Sequence, residues 1–398
     1  MDILIQPKKL NGTVPAIQSK SHAHRAMICA ALAGKPDLVR LKGPSDDLLA
    51  TQQAVEIFRG AGTAACRESG TTLRLLVPPA AALGIEATFT GEGRLPRRPM
   101  EPLLSLMEDH GVRFSSRTLP FRLSGKLESG RYALPGNVSS QYISGLLLAL
   151  PLLEGDSELV LTTELESAGY VDMTIDCQKQ FGICLEPLAQ AAQQHPSGAG
   201  AAGCGWRIPG GQAYRAPAAL DVEGDWSSAA FWLVASALGS SVDITGLSPS
   251  SLQRDRQLVS IIEQNETDID VRDIPDLVPI LAVLAAGRRD PKNVKTVLRN
   301  GSRLRLKESD RIESVLEMIR ALGGTIENPG DELIVTGTGT LAGGTVHSAG
   351  DHRIAMAAAI AATVCAGPVT ILDAHVASKS YPDFFAHYES LGGETHVL

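Results

Sequence analysis

Six short segments rich in Ala, Leu and Ile constrain the fold of this chain more than any other feature. Each is apolar on almost every side when drawn as a helix, so all six helices are expected to be buried. Each begins at Gly or at a residue of the kind that caps helices. The segments begin at Ser21, Gly70, Ser139, Ser227, Asp276 and Asp351.

Each apolar segment is followed by a predicted second helix that has a polar face. These second helices are expected at residues 46–59, 100–110, 170–181, 254–264, 311–322 and 383–391. Five of them run into glycine and the sixth into asparagine, the residues that most readily adopt the left-handed backbone at which helices stop. Strands are expected between the helices, where β-branched runs with turn signals occur, as at residues 332–336.

The spacing of the apolar helices repeats along the chain. Their starts are 49, 69, 88, 49 and 75 residues apart, which reads as two halves of 49 and 69, then 49 and 75. We infer two domains, each made of three similar units that pair two helices with a few strands. An α/β protein without duplication is the alternative, but the repeated interval and the matched helix stops favour duplication. A length of 398 residues also suits two domains.

The composition is that of an ordinary globular protein, with 44% hydrophobic and 20% charged residues. The net charge of −8 argues against a general nucleic-acid binder, so the cations for any anionic ligand must be concentrated locally. The 6 cysteines form no C-x-x-C pair, which predicts buried free thiols in a reducing compartment. Residues 189–205 are of low complexity and are expected to form a loose surface excursion.

Two sequence features argue against export and against a membrane-spanning segment. Pro7 interrupts the N-terminal segment before an apolar stretch forms, so no signal peptide is expected. The longest apolar runs, such as residues 145–153, are too short to span a bilayer. The sequence therefore predicts a soluble, cytoplasmic protein.

Cationic side chains gather at the starts of the apolar helices. A helix N-terminus presents unpaired N–H groups and the positive end of the helix dipole, so it favours anions. Lys20 and Arg25 lie at the first such start and Arg353 at the sixth. A loop at residues 93–99 adds three arginines, and Lys379 precedes the last helix.

Lys307 and Arg311 are four residues apart, a spacing at which like charges repel mildly on a helix. A shared anion would relieve this repulsion, and Glu308 or Asp310 could do the same. The chain has no P-loop, dinucleotide fingerprint, nucleophile elbow or zinc-binding helix. Small phosphate-bearing substrates, held by cations and helix starts, are therefore the favoured class of ligand.

These motifs, in their order along the chain, resemble those of the EPSP synthase (3-phosphoshikimate 1-carboxyvinyltransferase) family of enolpyruvyl transferases. The resemblance extends from residue 19 to residue 383. It rests on Ser19-Lys20-Ser21 with Arg25, Ser69-Gly70-Thr71 with Arg74, Arg98-Pro99, Val138-Ser139-Ser140-Gln141, Ser167 with Tyr170, Ile274-Pro275-Asp276, Lys307-Glu308-Ser309-Asp310-Arg311, Asp351-His352-Arg353 and Lys379-Ser380-Tyr381-Pro382-Asp383.

The resemblance implies a two-domain inside-out α/β barrel, in which each domain holds three βαβαββ-type units with buried helices. It places the first domain at residues 14–220, the second at residues 1–13 and 221–398, and the active site in the interdomain cleft. The chain should then be a monomer that needs no metal or organic cofactor and binds neither nucleic acid nor membrane.

The implied reaction transfers the enolpyruvyl group of phosphoenolpyruvate to the 5-hydroxyl of shikimate 3-phosphate, by addition and then elimination of phosphate. It belongs to the shikimate pathway to chorismate and the aromatic amino acids, and the family is the target of glyphosate. Asp276 is the expected base and Glu308 the expected acid, with Lys20 as the third catalytic residue. The start of a helix should keep Asp276 ionised.

The resemblance also implies two sets of binding residues. Shikimate 3-phosphate is expected to contact Lys20, Ser21, Arg25, Ser139, Ser140, Gln141, Ser167, Tyr170, Asp276 and Lys307. Phosphoenolpyruvate is expected to contact Lys20, Gly70, Arg98, Gln141, Arg311, Arg353 and Lys379.

Three residues depart from the family's pattern. Glu68 and Arg303 stand where members often have Asn, and Leu75 stands where some have Pro. A carboxylate at Glu68 should repel an anion unless it is paired, and Arg303 would either add a phosphate contact or point away. Gly70 keeps the small residue on which inhibition by glyphosate depends in the family, but Leu75 leaves the strength of inhibition open.

The alternatives predict different residues. A UDP-N-acetylglucosamine enolpyruvyl transferase typically has Lys-Asn in the first motif and a reactive cysteine in the second unit, whereas this chain has Lys20-Ser21 and no cysteine within residues 91–99. A non-catalytic, anion-binding relative would lack some of the acid–base residues, which are all present here. A protein like RNA 3′-phosphate cyclase would favour a basic surface and a nucleotide site.

Overall fold

The computed structural model describes residues 1–188, 204–289 and 293–398. Most of the surface excursion expected at residues 189–205 lies outside the described residues. Within the three described ranges, no helix has both the length and the apolar character needed to cross a membrane.

Each predicted helix is present in the described part of the chain. The expected helix at residues 100–110 is shortened, because Pro102 precedes its first turn and proline keeps the residue before it out of helical backbone. The α-helices in chain order are α1 (Lys20–Leu32), α2 (Asp46–Ala54), α3 (Gly70–Ala82), α4 (Leu103–Glu108), α5 (Ser140–Ala149), α6 (Ala168–Gln180), α7 (Trp226–Ala237), α8 (Leu258–Glu263), α9 (Val278–Gly287), α10 (Arg311–Ala321), α11 (His352–Ala361) and α12 (Phe384–Ser390).

The strands are short, as the interrupted β-branched runs predict. In chain order they are β1 (Ile3–Gln6), β2 (Asn11–Pro15), β3 (Gly62–Ala65), β4 (Ala87–Thr90), β5 (Val112–Phe114), β6 (Phe121–Gly125), β7 (Arg131–Leu134), β8 (Ser157–Leu161), β9 (Glu186–Pro187), β10 (Gly205–Ile208), β11 (Ser241–Thr245), β12 (Asp268–Asp270), β13 (Lys295–Arg299), β14 (Thr325–Glu327), β15 (Leu333–Thr336), β16 (Gly344–His347), β17 (Val369–Leu372) and β18 (Glu394–Val397).

One strand order recurs among the described sheets. In β3-β4-β6-β5, β7-β8-β10-β9 and β12-β13-β15-β14 the first two strands are parallel and the other neighbours are antiparallel. The sheet β16-β17-β1-β18 repeats this pattern, with the N-terminal strand in third place. A parallel pair needs a crossover connection, which the apolar helices α3, α5, α9 and α11 supply.

The crossover helices are buried because they have no polar face to turn toward water. Val278–Gly287 and His352–Ala361 are buried at every residue. The start of each such helix therefore lies at the edge of a core, where its unpaired N–H groups can reach a ligand. The motifs found in the sequence all lie at helix starts or in the loops beside them, so this arrangement places them at the edge of a core.

The chain divides into two compact units, Lys20–Val222 on the one hand and Met1–Ser19 with Glu223–Leu398 on the other. The sequence placed the crossings earlier, near residues 13 and 221. The difference arises because β2 pairs in parallel with β11, which keeps the N-terminal segment in the second of these units through Ser19. Each unit has its own hydrophobic core.

Candidate active site

In the unit Lys20–Val222, Arg25 joins α1 to α6. Its guanidinium is buried and donates to Thr174 Oγ1 at 2.6 Å, to the Ser21 carbonyl at 2.7 Å and to the Tyr170 carbonyl at 2.9 Å. The Tyr170 ring lies 5.9 Å from the guanidinium carbon. Burial lowers the pKa of Arg25 to about 10, so it stays charged at neutral pH. The structure thus brings three of the predicted residues together, with Arg25 holding the other two in place.

Lys20, the first residue of α1, forms an ion pair with Asp47. The Nζ to Oδ2 distance is 2.9 Å, and both side chains are less than a fifth exposed, at 17% and 18%. The ion pair holds the Lys20 ammonium group at a fixed place beside the start of the helix.

Three predicted serines lie at the starts of α5 and α6. Ser139 caps α5, where its hydroxyl accepts from the Gln141 N–H, and Ser140 is the first residue of that helix. Ser167 is the cap of α6 and is buried in a left-handed conformation with φ of 58°. Residues other than Gly rarely adopt this backbone conformation, and such strain concentrates at functional sites. Two helix starts that carry serine hydroxyls are suited to a phosphate group.

Gly70 begins α3 at a point where two guanidinium groups converge. A Cβ on Gly70 would lie 2.6 Å from Arg74 Nη1 and 2.7 Å from Arg98 Nη1. Arg74 is held by Gln141 Oε1 at 3.0 Å, and Gln141 in turn donates to Thr71 Oγ1 at 2.9 Å. Arg98 Nε is buried and has no hydrogen-bond partner among the described residues. Because a buried guanidinium donor needs an acceptor, this place is suited to an anion.

In the other unit, the side chains of Asp276, Lys307, Glu308, Arg311 and Arg353 form a compact group, called here the Asp276 cluster. Arg311 is at its centre and its side chain is 0% exposed. The guanidinium donates to Asp276 Oδ1 and Glu308 Oε2, each at 2.8 Å, and to Asp351 Oδ2 at 3.0 Å. These carboxylates raise the pKa of Arg311 above its ordinary value in spite of burial.

Arg353 holds Asp276 from the opposite side. It donates from Nη2 to Asp276 Oδ2 at 3.2 Å and from Nη1 to the Asp276 carbonyl at 3.3 Å. Its own backbone N–H is bonded to Asp351 Oδ1, the cap of α11. Lys379 donates to the Gly350 carbonyl at 3.3 Å, which places its ammonium group near the start of the same helix.

Asp276 has a cause of ionisation that the sequence did not predict. It lies in the short 3₁₀ turn Pro275–Leu277 ahead of α9. Burial alone would raise its pKa, but the charges of Arg353, Lys307 and Arg311 hold the pKa of Asp276 well below its usual range. The sequence predicted ionisation from the helix dipole, and the structure adds the guanidinium and ammonium groups as partners of the carboxylate.

The sequence left open which anion relieves the repulsion between Lys307 and Arg311. Asp276 does so, with its Oδ1 3.8 Å from Lys307 Nζ and 2.8 Å from Arg311 Nη1. Glu308 pairs with Arg311 as well, whereas Asp310 caps α10 and pairs with Arg305 at 3.1 Å. Burial lowers the pKa of Lys307 to about 8, and the charge of Asp276 opposes that effect.

Comparison with known proteins gives the family. A profile of EPSP synthase (3-phosphoshikimate 1-carboxyvinyltransferase) matches residues 56–388. The 3-phosphoshikimate 1-carboxyvinyltransferase of Clostridium kluyveri is 39% identical over 98% of this chain and 97% of its own. That of Clostridium perfringens strain 13 is 36% identical over 98% of both chains. The chain belongs to the EPSP synthase family. The family predicted from the motifs is therefore confirmed, with its transferase activity and its place in the shikimate pathway.

Solved structures agree on the fold. EPSP synthase from Acinetobacter baumannii matches with a TM-score of 0.77 and 23% identity over 100% of both chains. The enolpyruvyl transferase NikO from Streptomyces tendae matches with a TM-score of 0.67 and 15% identity, over 99% of this chain and 98% of its own. At these identities the likeness is one of fold, and it confirms an α/β protein built like an EPSP synthase.

The predicted catalytic and binding sets did not include Asp47, Asp351 and Arg74. Asp47 and Asp351 stand at helix starts, where an acidic residue is expected simply to cap or to complement the dipole, so the sequence gives no sign of their pairing with Lys20 and Arg311. Arg74 is a motif residue, and its position four residues after Gly70, on the same face of the helix, is the signal that would have added it to the binding set.

The departures from the EPSP synthase pattern have local explanations. Glu68 is exposed, and its carboxylate lies against the backbone of Gly93, since a Cβ there would come within 2.6 Å of Glu68 Oε2. Arg303 lies in the 3₁₀ turn Ser302–Leu306, and its charge contributes to the lowered pKa of Lys307. Arg303 therefore adds positive charge beside Lys307.

Proposed function

We propose that this chain carries out the transfer with Asp276 and Glu308 as its acid–base pair. One observation carries the proposal: a single buried guanidinium, that of Arg311, holds both carboxylates at 2.8 Å. The reaction needs a base to take the proton of the 5-hydroxyl and an acid to protonate a carbon of phosphoenolpyruvate. Fixed around one cation, Asp276 as a carboxylate and Glu308 in its carboxylic acid form would supply the base and the acid close to a site that attracts anions.

The phosphate of shikimate 3-phosphate would bind to the starts of α5 and α6. Ser139, Ser140 and Ser167 offer hydroxyl and backbone donors there, and Lys307 would add a positive charge. Ser21 and Arg25 would bind the ring hydroxyls and the carboxylate, with Tyr170 beside the ring. Because Arg25 holds Ser21 and Tyr170, it also orders the other residues of this set.

Phosphoenolpyruvate would bind beside Arg98, whose buried Nε has no hydrogen-bond partner among the described residues. Arg98 has its buried, unsatisfied Nε beside Gly70, and Gln141 is fixed by Arg74 next to it. The remaining contacts come from the other unit and from α1, namely Arg311, Arg353, Lys379 and Lys20. We propose that the residues of both units act on the same pair of substrates.

Gly70→Ala is expected to raise the KM for phosphoenolpyruvate by roughly 10-fold or more, because the added methyl group displaces the ends of Arg74 and Arg98 and weakens a charge-assisted bond. The KM for shikimate 3-phosphate and the melting temperature should change little, since flexible side chains can move aside. Gly62→Ala is the matched control, as nothing lies within 4 Å of a Cβ there. Equal effects of the two substitutions would remove Gly70 from the site.

The proposed reaction has an addition step and an elimination step. In the addition, Asp276 takes the proton of the 5-hydroxyl as that oxygen bonds to C2 of phosphoenolpyruvate, while Glu308, in its carboxylic acid form, gives a proton to C3, which becomes a methyl group. In the elimination, the bond between C2 and the phosphate oxygen breaks, and phosphate leaves with the electron pair and takes the proton held by Asp276. The Glu308 carboxylate takes back a proton from the methyl group, and the vinyl group of the product forms.

The cations around Asp276 also explain how it becomes a base. With its pKa held well below the usual range, Asp276 in the free protein is ionised but binds protons weakly. The phosphate and carboxylate of phosphoenolpyruvate would compete for Arg311 and Arg353, which draws those charges away from Asp276. Its affinity for a proton would then rise when the substrate is in place.

The binding of shikimate 3-phosphate should weaken above about pH 8. Lys307 has a pKa of about 8 in the free protein, so its positive charge is present below that pH and is lost as the pH rises through it. We expect the KM for shikimate 3-phosphate to rise by up to roughly 10-fold per pH unit above this point. Lys307→Arg keeps its charge and should flatten the profile between pH 7 and 9.5. A flat wild-type profile would contradict the assignment.

The repeated strand order supports the finer description of the fold. The sheets alternate with helices in the order β3-α3-β4-α4-β5-β6, and the same sequence of elements follows from β7 and from β12. We propose that each unit is an inside-out barrel of three such βαβαββ elements, with the crossover helices inside, and that the protein is a monomer.

Phosphate release from phosphoenolpyruvate tests the proposed function. It is measured with shikimate 3-phosphate, with UDP-N-acetylglucosamine and with no acceptor. Release only with shikimate 3-phosphate supports the proposal. Release only with the sugar nucleotide would assign the other enolpyruvyl transferase activity, and no release from folded protein would indicate a protein that binds the substrates without reaction.

A further inference from the structure

Asp255 is a buried carboxylate to which the mechanism above gives no part. It is 5% exposed and lies in the 3₁₀ turn Arg254–Gln257 that precedes α8. Its Oδ2 accepts a hydrogen bond from the hydroxyl of Ser227, the second residue of α7. The same Ser227 oxygen lies 3.3 Å from Arg353 Nη2, so Asp255 is one residue removed from the Asp276 cluster.

The chemistry of these groups fixes the direction of both bonds. A guanidinium can only donate, so the Ser227 oxygen accepts from Arg353. The Ser227 proton must then point elsewhere, and the carboxylate of Asp255 accepts it. Donation therefore runs from Arg353 to Ser227 to Asp255, and the charge of Arg353 makes its bond to Ser227 stronger than a neutral one.

The segment that carries Asp255 is anchored to the start of α7. Gln253 accepts from the Trp226 N–H at 3.0 Å and donates to the Gly224 carbonyl at 2.8 Å. The segment that carries Asp255 thus has fixed contacts on the same helix start that carries Ser227. These contacts restrict the movement of the segment that carries Asp255 relative to Ser227.

At the other end of this hydrogen-bonded series, Arg353 is held beside Asp276, the proposed base. Arg353 Nη2 reaches Ser227 on one side and Asp276 Oδ2, at 3.2 Å, on the other. A planar guanidinium that satisfies both acceptors is restricted in its rotation. Its remaining edge is therefore presented in a defined direction.

We propose that Ser227 and Asp255 are positioning residues that fix the Arg353 guanidinium for phosphoenolpyruvate, an inference that rests on the proposed function. Ser227 and Asp255 act on the binding of this substrate through Arg353, and neither contacts the reacting atoms. Its loss should therefore change affinity for phosphoenolpyruvate and leave shikimate 3-phosphate almost unaffected.

Stability of the fold does not account for Asp255. Burial, and after it the charge of Asp276, raises the pKa of Asp255 to about 7, while Arg353 and the Ser227 hydroxyl act in the opposite sense and Asp225 adds to the rise. The fold thus favours the charged form of Asp255 less than water does, so its ionisation does not add to stability. Its bond to Ser227, which accepts from Arg353, is the contact that connects it to the proposed site.

The test compares three serine variants for both substrates. Ser227→Ala should raise the KM for phosphoenolpyruvate about 10-fold, because Arg353 loses one charge-assisted bond but keeps those to Asp276. The KM for shikimate 3-phosphate should stay within roughly 2-fold. Ser227→Thr restores the hydroxyl and should recover most of the affinity. Ser228→Ala is the matched control, being an equally buried serine next along α7.

Asp255→Ala should reproduce the effect of Ser227→Ala, and the double variant should be no worse than either, since both break one chain. The Kd for phosphoenolpyruvate is measured by calorimetry and needs no turnover. It therefore tests the role of Ser227 and Asp255 even if the wild type shows no turnover with shikimate 3-phosphate, which would contradict the proposed function. An unchanged Kd in folded Ser227→Ala protein, or an equal loss for both substrates, would overturn the proposal.

Discussion

Asp276→Asn is expected to lower kcat by about 10²- to 10⁴-fold, the usual contribution of a general base. Its KM for phosphoenolpyruvate should not rise. The variant removes a negative charge that competes with the substrate for Arg311 and Arg353, which now hold that carboxylate at 2.8 Å and 3.2 Å. A fall in kcat without a loss of substrate affinity separates a base from a residue that merely keeps the site in shape.

Asp243→Asn is the matched control for this substitution. Asp243 lies in the same unit, on β11, and is exposed. Steady-state kinetics of the two variants with both substrates give the comparison. If Asp276→Asn kept a kcat within threefold of the wild type, or lost kcat only together with a higher KM, Asp276 would not be the base.

Arg311→Leu is expected to lower the free energy of unfolding by about 3–5 kcal/mol at neutral pH, the usual effect of removing one partner from a buried ion pair. The Arg311 side chain is 0% exposed, and without it Asp351, also 0% exposed, loses its ion-pair partner and keeps only uncharged donors, the Ser309 hydroxyl and the Arg353 backbone N–H. Chemical denaturation followed by circular dichroism measures the change.

The pH dependence gives this prediction a second readout. Asp276 has a lowered pKa in the folded protein, so its ion pairs stabilise the fold above the unfolded value of about 4 and are lost as the pH falls through the folded value. The difference in stability between wild type and Arg311→Leu should therefore be complete at pH 7 and shrink below about pH 4. Arg320→Leu, on the same helix, is the control, and an equal loss there would mean that burial of charge is not the cause.

The helices were predictable because their signals are local. An apolar segment with a capping residue marks the start of a buried helix, and His352–Ala361 begins directly after Asp351, where the sequence places it. The pairing of strands was harder to foresee. The third place in the last sheet is taken by Ile3–Gln6, which lies more than 300 residues away from its partner Val369–Leu372, and no local pattern encodes such a contact.

The members of the site were predictable, but their partners were not. Lys20 and Arg311 could be identified because they stand at fixed distances from other residues of their motifs. Asp47 and Asp351 resemble ordinary residues at helix starts, so their roles as ion-pair partners could not be predicted. The charge state of Asp276 shows the limit most clearly. A helix dipole was the only local reason to expect ionisation, whereas the charges of Lys307, Arg311 and Arg353 lower the pKa of Asp276 only because the folded chain brings them together.

Deuterium incorporation from heavy water tests the central claim, that Glu308 and Asp276 form the acid–base pair around Arg311. Phosphoenolpyruvate and shikimate 3-phosphate are incubated in D₂O with wild type, with Glu308→Gln and with Glu317→Gln, an exposed residue of α10. Addition places a deuteron on C3, and elimination leaves part of it in the vinyl group of the product. We expect deuterium in the product from wild type and Glu317→Gln, and none above background from Glu308→Gln at substrate concentrations that saturate it. Incorporation by Glu308→Gln at the wild-type rate would contradict the account.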